Sequence, residues 1–402
     1  MDNNLDINKK TLHSLVSFFQ SDEHQNSVYL NNSSYSLMSQ AVNDSIKKYI
    51  DYPFIKNHIK SFKTNFANLN QRHELEVFFN MGAHCFIERL IKILCRDQKT
   101  QFLIDPLSHK TIENPINYEC TYHQSTSTYL KFDSLGFICL NHLKSSLSKD
   151  ITAVFINQCS NINGLKQNAL EIEKVISEYN YLNKTNILLI VDASQSYSKT
   201  IISEQAGDIY FFAQQKSFAL PGCAIFIKEE TQKKLCLEND LKKANFLLSN
   251  VIEAGTPHFL SILSIIKSGE FLVELDQGFH IKGFSRFEHL SQLTKYTYKK
   301  LKEIKKIKFL GLNDQNINDN LSILSFCIEG KDLVKIATEL KTFGIHVQAA
   351  FMDEFDSYFC IPNSKNIYQC LNEKQSIMRI SLQWYNTKSD IERFFKFFNK
   401  YL

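Results

Sequence analysis

Apolar positions along this chain alternate between short continuous runs and stretches spaced three and four residues apart, the mark of strands alternating with helices. Leu12, Leu15, Val16 and Phe19 share one face of a helix predicted over 8–20. Residues 27–32 read as a short extended segment, and a second helix is predicted over 37–50. A strand over 76–80 runs into Met81-Gly82-Ala83-His84 and then into a helix ending at Leu94. Further strands are predicted over 101–104, 135–140, 151–156, 187–191, 208–212 and 223–227. A helix over 165–180, with Leu165, Ala169, Ile172, Val175 and Ile176 on one face, joins two of them. This order predicts an α/β fold with a mostly parallel sheet covered on both faces. From about 260–270 to 305 the pattern is helical; strands near 322–328, 345–349 and 377–382 then interleave with helices near 331–342 and 387–400. That later part reads as a smaller α+β domain, giving an organisation of 1–265 and 266–402.

A chain of 402 residues, 44% of them hydrophobic, has material for a large domain and a companion. Its net charge of +4 is too small to argue for nucleic acid or an anionic membrane surface. The run Lys299, Lys300, Lys302, Lys305, Lys306 and Lys308 alternates with Leu301, Ile304 and Ile307, as the wet face of a helix does. The ten cysteines show no C-x-x-C pair and no metal-like spacing with histidine, which points to reduced thiols in a reducing compartment. The first ten residues lack the apolar core of a signal peptide, and no apolar run is long enough to cross a bilayer. The expectation is a soluble, cytoplasmic protein without nucleic-acid or membrane partners.

Chemistry concentrates between 187 and 227. Asp192-Ala-Ser-Gln195 closes one predicted strand, Ala213-Gln214-Gln215-Lys216 follows the next, and Pro221-Gly222 opens a third. An acid and an amine are thereby set at the ends of two neighbouring buried strands. Such a pair can grip the two ends of a pyridoxal phosphate ring: the carboxylate keeps the ring nitrogen protonated and the lysine forms a Schiff base. The pattern resembles the class-V aminotransferase family, which includes cysteine desulfurases, selenocysteine lyases and phosphoserine aminotransferase. The resemblance runs from Tyr29-Leu30-Asn31 to the last helix. It implies the fold type I architecture of pyridoxal-phosphate enzymes, with a seven-stranded sheet in the large domain.

The resemblance also implies roles. Gly82 and Ala83, with His84 where relatives carry threonine, lie at a helix start that would take the cofactor phosphate. Leu107-Ser108-His109, with Pro115 six residues on, resembles the stretch whose histidine stacks on the ring and moves a proton. Asn161, in Ser160-Asn161-Ile-Asn-Gly164, and Gln195 would donate to the phenolic oxygen. Gln215-Lys216 is closer to phosphoserine aminotransferase than to the desulfurases, and Ala213 stands where they carry a serine. Glu253-Ala-Gly-Thr256-Pro257 resembles the loop that reaches the partner subunit's phosphate, which implies a homodimer with shared sites and Thr256 as donor. Met378-Arg379-Ile-Ser381, followed by Tyr385-Asn386-Thr387, resembles the segment whose arginine binds the substrate carboxylate. Asn31 joins Arg379 on the substrate side.

The nucleophile is where the pattern departs. Counting from Gly344, the position of a desulfurase cysteine holds Asp353, and Gln348 stands where relatives have arginine. Cys360 and Cys370 lie further along the same loop. The leading expectation is therefore a pyridoxal-phosphate enzyme performing transamination or lyase chemistry on a small amino acid through Lys216. A cysteine desulfurase or selenocysteine lyase using Cys360 is the first alternative. A catalytically degenerate dimer that binds a partner is the second.

Overall fold

A computed structural model of the protein describes residues 9–49, 59–71, 75–95, 100–123, 125–200, 206–237, 248–253, 255, 258–281, 285–354, 359–360 and 375–402. Its strands are β1 (Val28–Tyr29), β2 (Leu75–Asn80), β3 (Gln101–Ile104), β4 (Thr126–Tyr129), β5 (Ile151–Asn157), β6 (Leu188–Asp192) and β7 (Ile209–Ala213), followed by β8 (Cys223–Lys228), β9 (Ile307–Phe309), β10 (Ile323–Ile328), β11 (Ile345–His346), β12 (Gln348–Phe351) and β13 (Ser376–Ser381). The large sheet has the order β2-β8-β7-β6-β5-β3-β4. β8 runs antiparallel to both its neighbours, and the remaining pairs are parallel.

The apolar runs explain why this sheet is covered on both faces. Side chains alternate across a strand, so Val154 and Ile156 enter one apolar layer while Phe155 enters the other. The first layer is closed by the helices Ile59–Leu69 and Ala169–Asn183 and by the start of Phe259–Ile281. The second is closed by Ala83–Leu94 and Lys110–His123. Six parallel strands direct their C-terminal ends to one edge, where ligands of open α/β sheets bind. The smaller sheet, β12-β13-β10-β9, is antiparallel and packs on the helices Arg286–Lys302, Leu333–Thr342 and Lys388–Phe398.

The α/β architecture and the large parallel sheet are thus as expected; several elements differ. Residues 135–140 are not a strand. Gly136 turns the chain with φ +85°, and the Asp133 carboxylate accepts the N–H groups of Leu135 and Phe137 at 2.8 and 3.0 Å. The helix predicted from 165 begins at Ala169, where Asn168 caps it through the Glu171 N–H. The N-terminal helix ends at His13, its described part being Lys9–His13, and a 3₁₀ turn follows at Ser17–Gln20. The long helical stretch is two helices, Phe259–Ile281 and Arg286–Lys302, the second opened by a Ser285–Glu288 capping box. The boundary placed at 265 falls inside the first of these. Among the described residues, no helix is long and apolar enough to cross a membrane.

Candidate active site

Four strand ends build the site. Asp192 is the last residue of β6, with Asn157 of β5 and Phe211 of β7 as its register partners. Its Oδ1 accepts the Ser194 N–H at 2.8 Å, and Ser194 Oγ accepts the Ala213 N–H at 2.9 Å, tying the ends of β6 and β7 together. Lys216 ends the 3₁₀ turn Gln214–Lys216 that leaves β7. Gly222 allows this turn to close: a Cβ there would lie 2.7 Å from Gln214 Oε1. Burial raises the Asp192 pKa while the Lys216 charge pulls it down; burial lowers that of Lys216 while Asp192 opposes. The acid and the amine are therefore near enough to act on one another's charge.

His109 follows β3. The Thr111 N–H donates to its Nδ1 at 3.1 Å, which leaves the ring hydrogen on Nε2. Burial drives its pKa down to about 3, and the charges of Lys216, Lys110, Arg379 and His84 push the same way. The imidazole is neutral at physiological pH. At the end of β2, Gly82 is the N-cap of the helix Ala83–Leu94 and makes no side-chain cap bond, so the first-turn N–H groups are open to an anion. His84 is exposed beside them.

Arg379, on β13, is 1% exposed. Its Nη1 donates to the Asn161 carbonyl at 3.0 Å and its Nη2 to Ser34 Oγ at 2.7 Å, to Gln348 Oε1, and more weakly to Asn31 Oδ1 at 3.5 Å. Nε has no partner. The guanidinium lies over the Phe359 ring at 4.8 Å, and no carboxylate of the described residues pairs with it. Burial lowers its pKa to about 9.

The sequence-predicted residues are brought to this one edge, with qualifications. The Asn161 amide donates to the Phe359 carbonyl at 2.8 Å, and the Gln195 amide donates to the Ser33 carbonyl at 2.8 Å, so both are engaged within the protein. Gln215 has a buried Oε1 without a partner, while its carbonyl accepts the Ser36 N–H. Thr256, Cys370 and the side chain of Asp353 lie outside the described residues. Cys360 adjoins the site, next in the chain to Phe359. Its carbonyl accepts the Lys110 N–H at 2.8 Å, and its thiol is close enough to act electrostatically on both Lys216 and Arg379. Sequence reasoning missed Ser34, Phe359 and Asp105. The last, buried after β3, accepts the Leu107 and Asn157 N–H groups at 2.7 and 3.1 Å and so fixes the loop carrying His109. An acid directly after a buried strand was its available signal.

A family model described as aminotransferase class-V matches residues 28–394. The chain belongs to the class-V aminotransferase family. Among its relatives is a probable cysteine desulfurase of Borreliella burgdorferi, 26% identical over 286 residues, 66% of this chain and 61% of that protein. A cysteine desulfurase of Wigglesworthia glossinidia brevipalpis is 25% identical over 239 residues, 56% of this chain and 52% of that one. The matches thus span about half to three-fifths of these relatives' own lengths. The class-V fold itself is plain from solved structures. A cysteine desulfurase of Thermococcus onnurineus superposes with a TM-score of 0.76 at 16% identity, covering 94% of both chains. One from Escherichia coli gives 0.75 at 13% identity, covering 98% of both.

Proposed function

We propose that this class-V protein holds pyridoxal 5′-phosphate at the sheet edge and transfers sulfur from L-cysteine to Cys360. The residues fit that cofactor. Asp192 and Lys216 lie within reach of one another's charge, His109 is neutral and flat, the helix start at Ala83 is open, and the Gln215 Oε1 and Ser108 Oγ are buried without partners. When bound, the cofactor supplies an electron sink for the substrate Cα.

The chain's own groups do the rest. Arg379 presents the unpartnered Nε–H and an unneutralised charge to the substrate carboxylate. Lys216, its pKa lowered by burial, takes and returns a proton at Cα. Cys360 carries the sulfur step: its thiolate forms the S–S bond as the substrate Cβ–S bond breaks. The C–S electron pair goes to Cβ, which a proton then turns into the methyl group of alanine. The observation that supports this reading is the placement of Cys360 between two site segments: its carbonyl accepts the N–H of Lys110, next to His109, at 2.8 Å, and its neighbour Phe359 lies under the Arg379 guanidinium at 4.8 Å. It favours the Cys360 alternative over transamination or a lyase step without a thiol. We place the reaction in a homodimer in the cytoplasm, which suits a chain with no disulfide between described residues.

Three proteins test it. Wild type with added cofactor should turn yellow and release sulfide from L-cysteine in the presence of a reducing thiol. Lys216→Ala should lose both colour and sulfide. Cys360→Ser should keep the colour and lose at least about 100-fold in sulfide release. Full sulfide release by Cys360→Ser would remove the thiol from the mechanism and return the reading to lyase chemistry.

A further inference from the structure

Arg379 and Gln348 face each other across the β12–β13 register, Gln348↔Arg379. Gln348 Oε1 accepts from Arg379 Nη2, and the Ser34 hydroxyl bonds both Gln348 Oε1 and Nη2. The remaining acceptors of the guanidinium among the described residues are the Asn161 carbonyl and Asn31 Oδ1. Every one of them is neutral. A buried guanidinium would ordinarily be paired with a carboxylate, because an unpaired charge in the interior is costly. Glutamate is isosteric with glutamine and would satisfy the same geometry at 348.

We propose that Gln348, seconded by Ser34, is the positioning and specificity residue of this site: it aims Arg379 with a neutral acceptor and so keeps its charge available for one ligand carboxylate. This rests on the carboxylate reading of Arg379 given above. Orientation and charge are supplied separately here. The neutral ring fixes Nη1 and Nη2, and the unpartnered Nε, with the charge of the whole group, is left for the ligand. A carboxylate at 348 would occupy the same Nη2 and neutralise the group internally. It would stabilise the fold and close the site to anions, so the two effects must appear together.

The test is a titration of the cofactor-loaded protein with propionate, a carboxylate that cannot react, read as the shift in thermal midpoint. Wild type should show a saturable rise, and Arg379→Gln should show none. Gln348→Glu should have a higher midpoint than wild type without propionate and bind propionate at least about tenfold more weakly. Gln348→Met, which keeps the site neutral but loses the acceptor that aims Arg379, should bind more weakly than wild type and more tightly than Gln348→Glu. Ser34→Asp brings a carboxylate to Nη2 from the other side and should repeat the loss, so the inference does not depend on one variant folding. If both acidic variants bind propionate as wild type does while Arg379→Gln does not, Gln348 does not govern the site and the inference falls. If wild type and Arg379→Gln respond alike, Arg379 is no carboxylate receptor and both readings fall together.

Discussion

Burying a cation without a counter-ion recurs at the level of single residues. Lys199 is a second case: it is 6% exposed, and its ammonium donates to the Leu321 carbonyl at 3.1 Å. Burial lowers its pKa to about 8, opposed by Cys159 and assisted by Arg379 and Lys216. An unfolded lysine titrates at about 10.4. Between those values the unfolded chain binds more protons than the folded one, so this site's contribution to stability rises with pH from about 8 to about 10. Cys159 works the other way, because burial raises its pKa to about 12 while an unfolded thiol ionises from about 8.5. Lys199→Met also removes the lysine's lowering of that pKa, so the folded thiol stays protonated up to pH 10 in both proteins and the comparison reads the lysine. Urea unfolding of wild type and Lys199→Met at several pH values should show the variant losing ground to wild type by up to about 3 kcal/mol as pH rises from 7 to 10. A constant difference would mean that Lys199 keeps its proton throughout.

Among the elements, those with a strong apolar rhythm were legible in the sequence and those without it were not. The buried strands β5, β6 and β7 announced themselves, and with them Asp192 and Lys216, because chemistry at a strand end follows directly from the strand. β4, Thr-Ser-Thr-Tyr, is an exposed edge strand with no apolar face to betray it. The helix Lys110–His123 carries Pro115 within it and places only a few apolar residues, Ile112 and Ile116 among them, in the core. Ser34 and Phe359 were illegible for another reason: each reaches the site through tertiary contacts, with Arg379 among them. The helix Ala83–Leu94 can be tested as an element. Proline is tolerated at a first helical position yet has no N–H to give. Ala83→Pro should leave unfolding free energy within about 0.5 kcal/mol of wild type. Fluorescence titration with pyridoxal phosphate should show affinity about tenfold weaker or worse, as the loss of a hydrogen bond to a charged group requires. Unchanged affinity would move the phosphate away from this helix.

Taken whole, the molecule assembles its site from segments far apart in sequence. Asn32 Nδ2 donates to the Ser381 carbonyl at 2.7 Å, Ser36 Oγ to the Lys216 carbonyl at 2.9 Å, and Ser33 N–H to Ser381 Oγ at 2.8 Å. The N-terminal segment therefore bridges the turn that carries Lys216 and the small sheet that carries Arg379. What one chain lacks in this arrangement is a side-chain hydroxyl for the phosphate at 213, where alanine stands. The proposed homodimer would supply it through Thr256 of the opposite protomer. That arrangement has a consequence which cis donation does not share. Lys216→Ala and Thr256→Asp each disable both sites of their own homodimers, the second by setting a carboxylate against the phosphate. In a mixed dimer, one site combines both defects. The other combines the intact Lys216 with the intact Thr256. Co-expression in equal amounts makes half of the dimers mixed, each with one working site, so about a quarter of wild-type activity should return. With Thr256 acting in cis, every site in the mixed dimer carries one defect and nothing is recovered. Activity of the co-expressed pair, set against each parent at equal protein concentration, decides between a site built by one chain and a site built by two.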